Sequence, residues 1–323
     1  MLAGCDGDSA PAADASPQQP HAPAKAIASE KIEASLVAAQ EYMQSGDMVR
    51  AEAILRTLID RAPNESRGHE MLGQTLMQRA MDAERMGEAA RASELKKQAY
   101  ASYREAVRLD PNSAGLQHSA GMMAMTAGKS EAALAHFQTA EKLEPANPQF
   151  PLFAAQVLMQ QKRLDDAEAA LQRVLAIDAD EPYAHASLAM LALEREQYER
   201  ALQEITRARQ TLPDDVGLRA QHAKVYRRMN QPRQALELLI GLEEVDRGQE
   251  TVTFEIAAAY DMLGEPERAA AAWALCFQAN PRGPRACYAA VQAARMHLKA
   301  RGFDEATQWA NVAEQLAPAS PDV

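Results

Sequence analysis

Residues able to do chemistry are sparse in this chain, and their spacing rules out most reactions. Ala127-Gly128-Lys129-Ser130 ends in the manner of a phosphate-cradling loop, but that loop needs a glycine where Met123 stands, and no strand-like segment precedes it. The seven histidines are scattered, with no His-Glu-x-x-His and no Cys/His set at metal-ligand spacing, so neither a metal nor a cofactor is expected. Serines are isolated and no nucleophile elbow occurs. Acidic residues recur at helical spacing, the pattern of a solvated face. A non-enzymatic protein is therefore expected. Cys276 and Cys287 flank the Pro281–Pro284 turn and form an even pair, either a disulfide or two small buried thiols.

The elements that carry these residues follow a period. Alanine recurs at Ala51, Ala99, Ala133, Ala167, Ala201, Ala235, Ala269 and Ala306, with five successive gaps of 34 residues framed by gaps of 48 and 37. Twelve residues before them stand Ala39, Gly73 in the expanded unit, Gly121, Ala155, Ala189, Ala223, Ala257 and Ala294. Four residues after them come Leu55, Tyr103, Phe137, Leu171, Ile205, Leu239 and Trp273, and twelve residues after stand Pro63, Pro111, Pro145, Pro213, Pro281 and Pro318. Small residues let two helices approach, the large one fills the gap between neighbouring pairs, and proline stops the second helix. Gly46, Gly87, Gly128, Gly264 and Gly302 lie where short turns with positive φ are needed.

This pattern resembles the tetratricopeptide repeat family, with eight repeats over roughly residues 32 to 320. The resemblance implies an all-α, right-handed superhelix of antiparallel helix-turn-helix hairpins occupying 27–320, with repeats starting near 32, 66, 114, 148, 182, 216, 250 and 287. The unit at 66–113 carries 14 extra residues, which lengthen both of its helices by about two turns around Gly87. Met81, Met86, Ala89, Ala90, Ala92 and Leu95 should pack that extension on itself. It reads either as a contact for a partner or second copy, or as an insertion tolerated at an exposed tip. At the other end, Thr307, Gln308, Asn311, Glu314 and Gln315 give the last helix the polar outer face of a terminal repeat.

The resemblance also implies a partner-binding groove on the first helices. Its two central positions hold Gln40 and Met43, Gln74 and Met77, Met122 and Met125, Gln156 and Met159, and Met190 and Leu193. Six of the chain's 15 methionines fall at these ten positions, against about half of one by chance. Methionine suits adaptable binding surfaces, and glutamine beside it can hydrogen-bond a bound backbone; the plain alternative is that these methionines are core. In the last three repeats the positions hold Lys224, Arg227 and Arg228, then Ala258 and Asp261, then Arg295 with Leu298 and Lys299. These cations suit an acidic segment, or form an ordinary solvated face. The asparagine–lysine clamp of chaperone-binding members is absent.

Composition narrows the partners. The 323 residues are 47% hydrophobic and only 5% aromatic, with a net charge of −11 that argues against nucleic acid. Protein partners are expected, engaged by an adaptor for extended or helical segments in an envelope, secretion or pilus machine; the alternative is a structural spacer or oligomerisation module. Residues 1–26 read as a Pro/Ala/Gln-rich tether. Within them, Leu2-Ala3-Gly4-Cys5 looks like the lipobox of bacterial lipoproteins, implying lipidation at Cys5 and an envelope location facing the periplasm. Only Met1 stands where a signal peptide should precede the box. Either the start lies upstream, or the likeness is accidental and the protein is cytoplasmic.

Overall fold

The computed structural model describes residues 29–242, 246 and 248–316. Cys5, the expected tether and Pro318 lie outside the described residues. Among the described residues every regular element is an α-helix, and the sixteen helices form eight antiparallel hairpins. They divide into two compact units, Met1–Leu109 and Asp110–Val323.

The first unit holds α1 (Ser29–Gln44) with α2 (Met48–Arg61), and α3 (Ser66–Arg85) with α4 (Ala89–Leu109). The second pair is the expected long hairpin, of 20 and 21 residues. Its extension packs through Ala80, Ala83, Ala92 and Leu95, and Lys96 of α4 pairs with Glu84 of α3 at 2.5 Å. Met81, Met86, Ala89 and Ala90 do not join that packing: all four are exposed, Met86, Ala89 and Ala90 at the turn itself and Met81 on the side of α3 turned from Ala80 and Ala83. Met86 is 71% exposed.

The second unit holds six hairpins. They are α5 (Ala114–Thr126) with α6 (Ser130–Leu143), α7 (Gln149–Gln160) with α8 (Leu164–Ile177), and α9 (Pro182–Glu194) with α10 (Tyr198–Thr211). They continue as α11 (Val216–Arg228) with α12 (Pro232–Ile240), α13 (Glu250–Leu263) with α14 (Pro266–Ala279), and α15 (Ala286–Lys299) with α16 (Phe303–Leu316). Within this unit α12 has nine residues where the other second helices have 14. Thr307, Gln308, Asn311, Glu314 and Gln315 of α16 are all exposed.

Size matching explains the period. A Cβ on Gly73 would lie 2.6 Å from the Tyr103 ring, and one on Gly121 would lie 2.6 Å from Phe137. Glycine thus stands opposite an aromatic ring, while Ala155, Ala189 and Ala223 accompany Leu171, Ile205 and Leu239 at the equivalent positions, all fully buried. Trp273 with Ala257 departs from this pairing. The indole instead packs edge-on against Phe254 and Tyr288, with centroids at 5.1 and 5.6 Å.

All eight hairpin turns place one residue in the left-handed region: Gly46, Gly87, Gly128, Lys162, Glu196, Asn230, Gly264 and Arg301. Its N–H donates three residues back and the next N–H five back, as in Glu196 N to Leu193 O (3.1 Å) and Gln197 N to Ala192 O (2.8 Å). In the last hairpin the role falls to Arg301, not to Gly302 as expected. The cap has moved one residue upstream, with Arg301 N bonded to Leu298 O and Gly302 N to His297 O.

A polar relay missed by sequence reasoning ties several hairpins to the turn before them. His69, Gln117 and His185 donate at 3.0 Å to the carbonyls of Pro63, Pro111 and Ala179, and Arg219 donates to Pro213 O at 3.4 Å. Gln117 and His185 also reach the second helix of their own hairpin, meeting His136 at 2.8 Å and Glu204 at 2.7 Å. The signal was a polar residue six positions after the residue that ends the preceding helix.

Candidate partner-binding face

In the first unit Gln40 and Gln74 are exposed while Met43 and Met77 are half-buried. Gln74 touches the Tyr103 hydroxyl, whose pKa is pushed up to about 12 by burial and by the neighbouring Glu70 carboxylate. A cleft of about 480 Å³ lies between the first turn and the long hairpin, with Met48, Val49, Arg79 and Met86 on its walls. Its charges are already satisfied: Arg79 pairs with Glu52, Asp82 with Arg85 and Arg91 with Glu88.

In the second unit the expected positions form rows on successive first helices. His118, Met122 and Met125 run along α5 at helical spacing; Phe153, Gln156 and Met159 do so on α7; Met190 and Glu194 continue on α9. Met122, Met125, Gln156, Met159 and Met190 are all half-buried, presenting part of each side chain. Leu193 is not part of this face. It is 1% exposed and belongs to the core with Ala186, Ala189 and Ile205. The position lies one turn beyond the small packing residue, at the edge of the core. An unbranched methionine extends past that edge, whereas leucine, branched close to the backbone, stays beneath it.

His118 and Phe153 went unrecognised in the sequence. The imidazole is ringed by Phe137, Phe150 and Phe153 at centroid distances of 5.9, 5.8 and 5.0 Å, and its Nε2 has no partner among the described residues. Burial among these rings lowers its pKa, favouring the neutral form. The signal available was the histidine's place one turn before Met122.

The five expected cations do not act together. Arg227 Nε lies 2.7 Å from Glu255 in a largely buried pair, and Lys299 Nζ lies 2.8 Å from Asp261. Each carboxylate comes from α13, so a neighbouring hairpin has neutralised the charge. Arg295 donates to Gln292 at 3.1 Å on its own helix. Lys224 and Arg228 remain, one turn apart on α11. Together with Lys162, which bonds Glu194 at 3.1 Å, they hold the Glu194 carboxyl below its usual range. Three cations around one carboxylate leave a positive end to the methionine rows.

Neither cysteine is bridged. Cys276 is a buried thiol directed at Glu250 O (3.7 Å), while Cys287 is directed at Ala313 O (3.9 Å). Each points to a different helix end, so of the two alternatives the structure has free thiols, with Cys287 only half-buried. Gly128 of the phosphate-loop lookalike is the left-handed turn between α5 and α6. Among the described residues no group of three or more His, Cys, Asp or Glu could hold a metal ion, and no helix is long and apolar enough to cross a membrane.

Comparison with known proteins agrees with this architecture. Residues 124–191 match the family model described as Tetratricopeptide repeat. Among curated proteins no sequence matches the chain. Among solved structures, a tetratricopeptide repeat protein from Parabacteroides merdae superposes with a TM-score of 0.63 at 15% identity, over 86% of this chain and 99% of that one. Cut9, solved in the APC/C hetero-tetramer with Hcn1, gives a TM-score of 0.59 at 16% identity over 81% of this chain and 48% of its own. The pilF protein of Pseudomonas aeruginosa gives 0.54 at 21% identity, over 66% of this chain and 95% of that one. At these identities the likeness is one of fold. Residues 124–191 carry the tetratricopeptide repeat match, and with the same hairpin repeated on both sides of them the described chain has the fold of tetratricopeptide repeat proteins.

Proposed function

We propose that this protein is a non-enzymatic scaffold that holds an extended or helical segment of a partner protein on the first helices of its second unit. The observation that carries this is the set of half-buried methionines and Phe153 on α5, α7 and α9, ending at Lys224 and Arg228. A soft apolar floor with a positive end suits a segment that is apolar along its length and acidic at one terminus. Tetratricopeptide folds in heteromeric assemblies, such as Cut9 with Hcn1, support the class of role.

The lipobox-like Leu2-Ala3-Gly4-Cys5 supports anchoring at Cys5 in a bacterial envelope, facing the periplasm, where the scaffold would serve an envelope, secretion or pilus machine. The test compares partners cross-linked in the native host to the wild-type chain, to Met122→Lys/Met159→Lys and to Lys224→Glu/Arg228→Glu. Loss of the same partner from both variants, with helicity unchanged, supports the reading; retention by both overturns it. Fatty-acid labelling that disappears in Cys5→Ser supports the anchor.

A second reading rests on the exposed Met81 and Met86 of the long hairpin, which favour self-association through that element. Light scattering would then show an oligomer that Met81→Glu/Met86→Glu reduces to a monomer.

A further inference from the structure

Hairpin six is basic in an acidic chain: residues 216–249 hold six Lys or Arg against four Asp or Glu, while the whole carries −11. Part of that charge lies in the seam between α10 and α11, on the side of α11 opposite Lys224 and Arg228. There Arg209, in the last turn of α10, places Nη1 3.2 Å from Nδ1 of His222. Arg219 stands one turn before His222 on α11, on the same side of that helix as the histidine that Arg209 contacts. His222 is 7% exposed, and its Nε2 has no partner among the described residues. The buried Nε atoms of Arg209 and Arg219 are likewise unpartnered. Burial first, and the nearby Arg219 charge second, lower the Arg209 pKa.

The other hairpins show what is missing. In hairpins three and five the residue equivalent to Arg219 is Gln117 or His185, and the second helix supplies its partner, His136 or Glu204. The same position in hairpin six is Leu238. Among the described residues Arg219 therefore keeps the relay to Pro213 O and gains no carboxylate. Arg195 and Arg200, by contrast, are both paired with Glu168, at 2.5 Å each.

We propose that Arg209 and Arg219 form a binding site for a phosphate group, with His222 positioning Arg209 through its Nδ1. Two guanidiniums match the charge of a phosphate dianion, and their fork-shaped donors match its oxygens. The group belongs either to free phosphate or to a phosphomonoester on a larger molecule.

Isothermal titration of the full chain with sodium phosphate and with glycerol 3-phosphate, at constant ionic strength, separates these sources. Binding of both assigns the site to a phosphomonoester, and binding of phosphate alone assigns it to the free ion. In either case Arg209→Gln and Arg219→Gln should each weaken binding about tenfold or more, while Arg268→Gln, at an exposed arginine of α14 paired with Glu265, leaves it unchanged. Both arginines are partly exposed, and circular dichroism verifies that the variants fold. The proposal is overturned if neither compound binds, if the arginine variants bind like wild type, or if acetate competes as well as phosphate.

Discussion

Hairpins five and six share one backbone plan and one core recipe, yet they treat a buried histidine in opposite ways. In hairpin five both ring nitrogens of His185 are engaged, Nδ1 by Glu204 and Nε2 by the Ala179 carbonyl. In hairpin six His222 meets a guanidinium on one side, stacks on Tyr226 at 4.8 Å, and leaves Nε2 without a partner. Ala189 with Ile205 and Ala223 with Leu239 fill the two cores equally well. Because the small-and-large pair fixes the hairpin, the polar seam is free to diverge, and divergence there creates charge that the fold itself does not neutralise.

The largest effect expected from that difference is on acid stability. The His222 pKa is held down at about 4 by burial first and by Arg209 second, below the ordinary histidine value. A base whose pKa is depressed by folding takes up its proton more readily when unfolded. Its contribution is therefore whole above about pH 6.5 and is lost as pH falls towards 4, amounting to about 3 kcal/mol. Urea unfolding at pH 7 and pH 4.5 should show this loss in the wild type and much less of it in His222→Leu. An equal loss in both would place the acid sensitivity elsewhere and erase the contrast with hairpin five.

The shared core recipe can be tested against hairpin three, which uses glycine and phenylalanine instead. Gly121→Ala forces a methyl group into the Phe137 ring and should cost about 2 kcal/mol by overpacking. Gly121→Ala with Phe137→Ile installs the pair of hairpin five and should recover a good part of that loss. A double variant no better than the single one would mean that the pairs are not interchangeable and that the recipe is local to each hairpin.

Fold was legible in the sequence because the period is written in residues that touch one another. Gly73 and Tyr103 meet in the structure, and so do Gly121 and Phe137, so their spacing records a contact. The binding face was legible only in part. Methionine marked positions at the edge of the core, but Leu193 at the same position turned inward, a distinction of side-chain shape that spacing does not carry. Arg227 and Lys299 were equally unreadable as isolated cations, because Glu255 and Asp261 lie 28 and 38 residues away, in a different hairpin each time. Long-range pairing of charge is decided by which hairpins become neighbours. The period shows that they stack without showing which side chains meet.

The smallest predicted effect sharpens the comparison at the turns. Glu196 in hairpin five and Asn230 in hairpin six occupy the same left-handed site, with φ of 59° and 61°. The conformation crowds a Cβ against the following carbonyl, a cost glycine escapes and asparagine partly offsets through local hydrogen bonding. Glycine also has more freedom to lose on folding, which takes back some of the gain. Glu196→Gly should therefore stabilise by about 1 kcal/mol and Asn230→Gly by only a few tenths. Both side chains are exposed, so neither substitution removes buried surface. Lys162, at the same site in hairpin four, is a poorer test because it also bonds Glu194. Urea midpoints of the two variants measured side by side decide the matter. Equal shifts would mean that the turns are strained alike and that asparagine earns no advantage there. A larger shift for Glu196→Gly would show that hairpin six, which leaves its seam histidine unsatisfied, has the better-adapted turn, so that each hairpin sets its own balance between scaffold and seam.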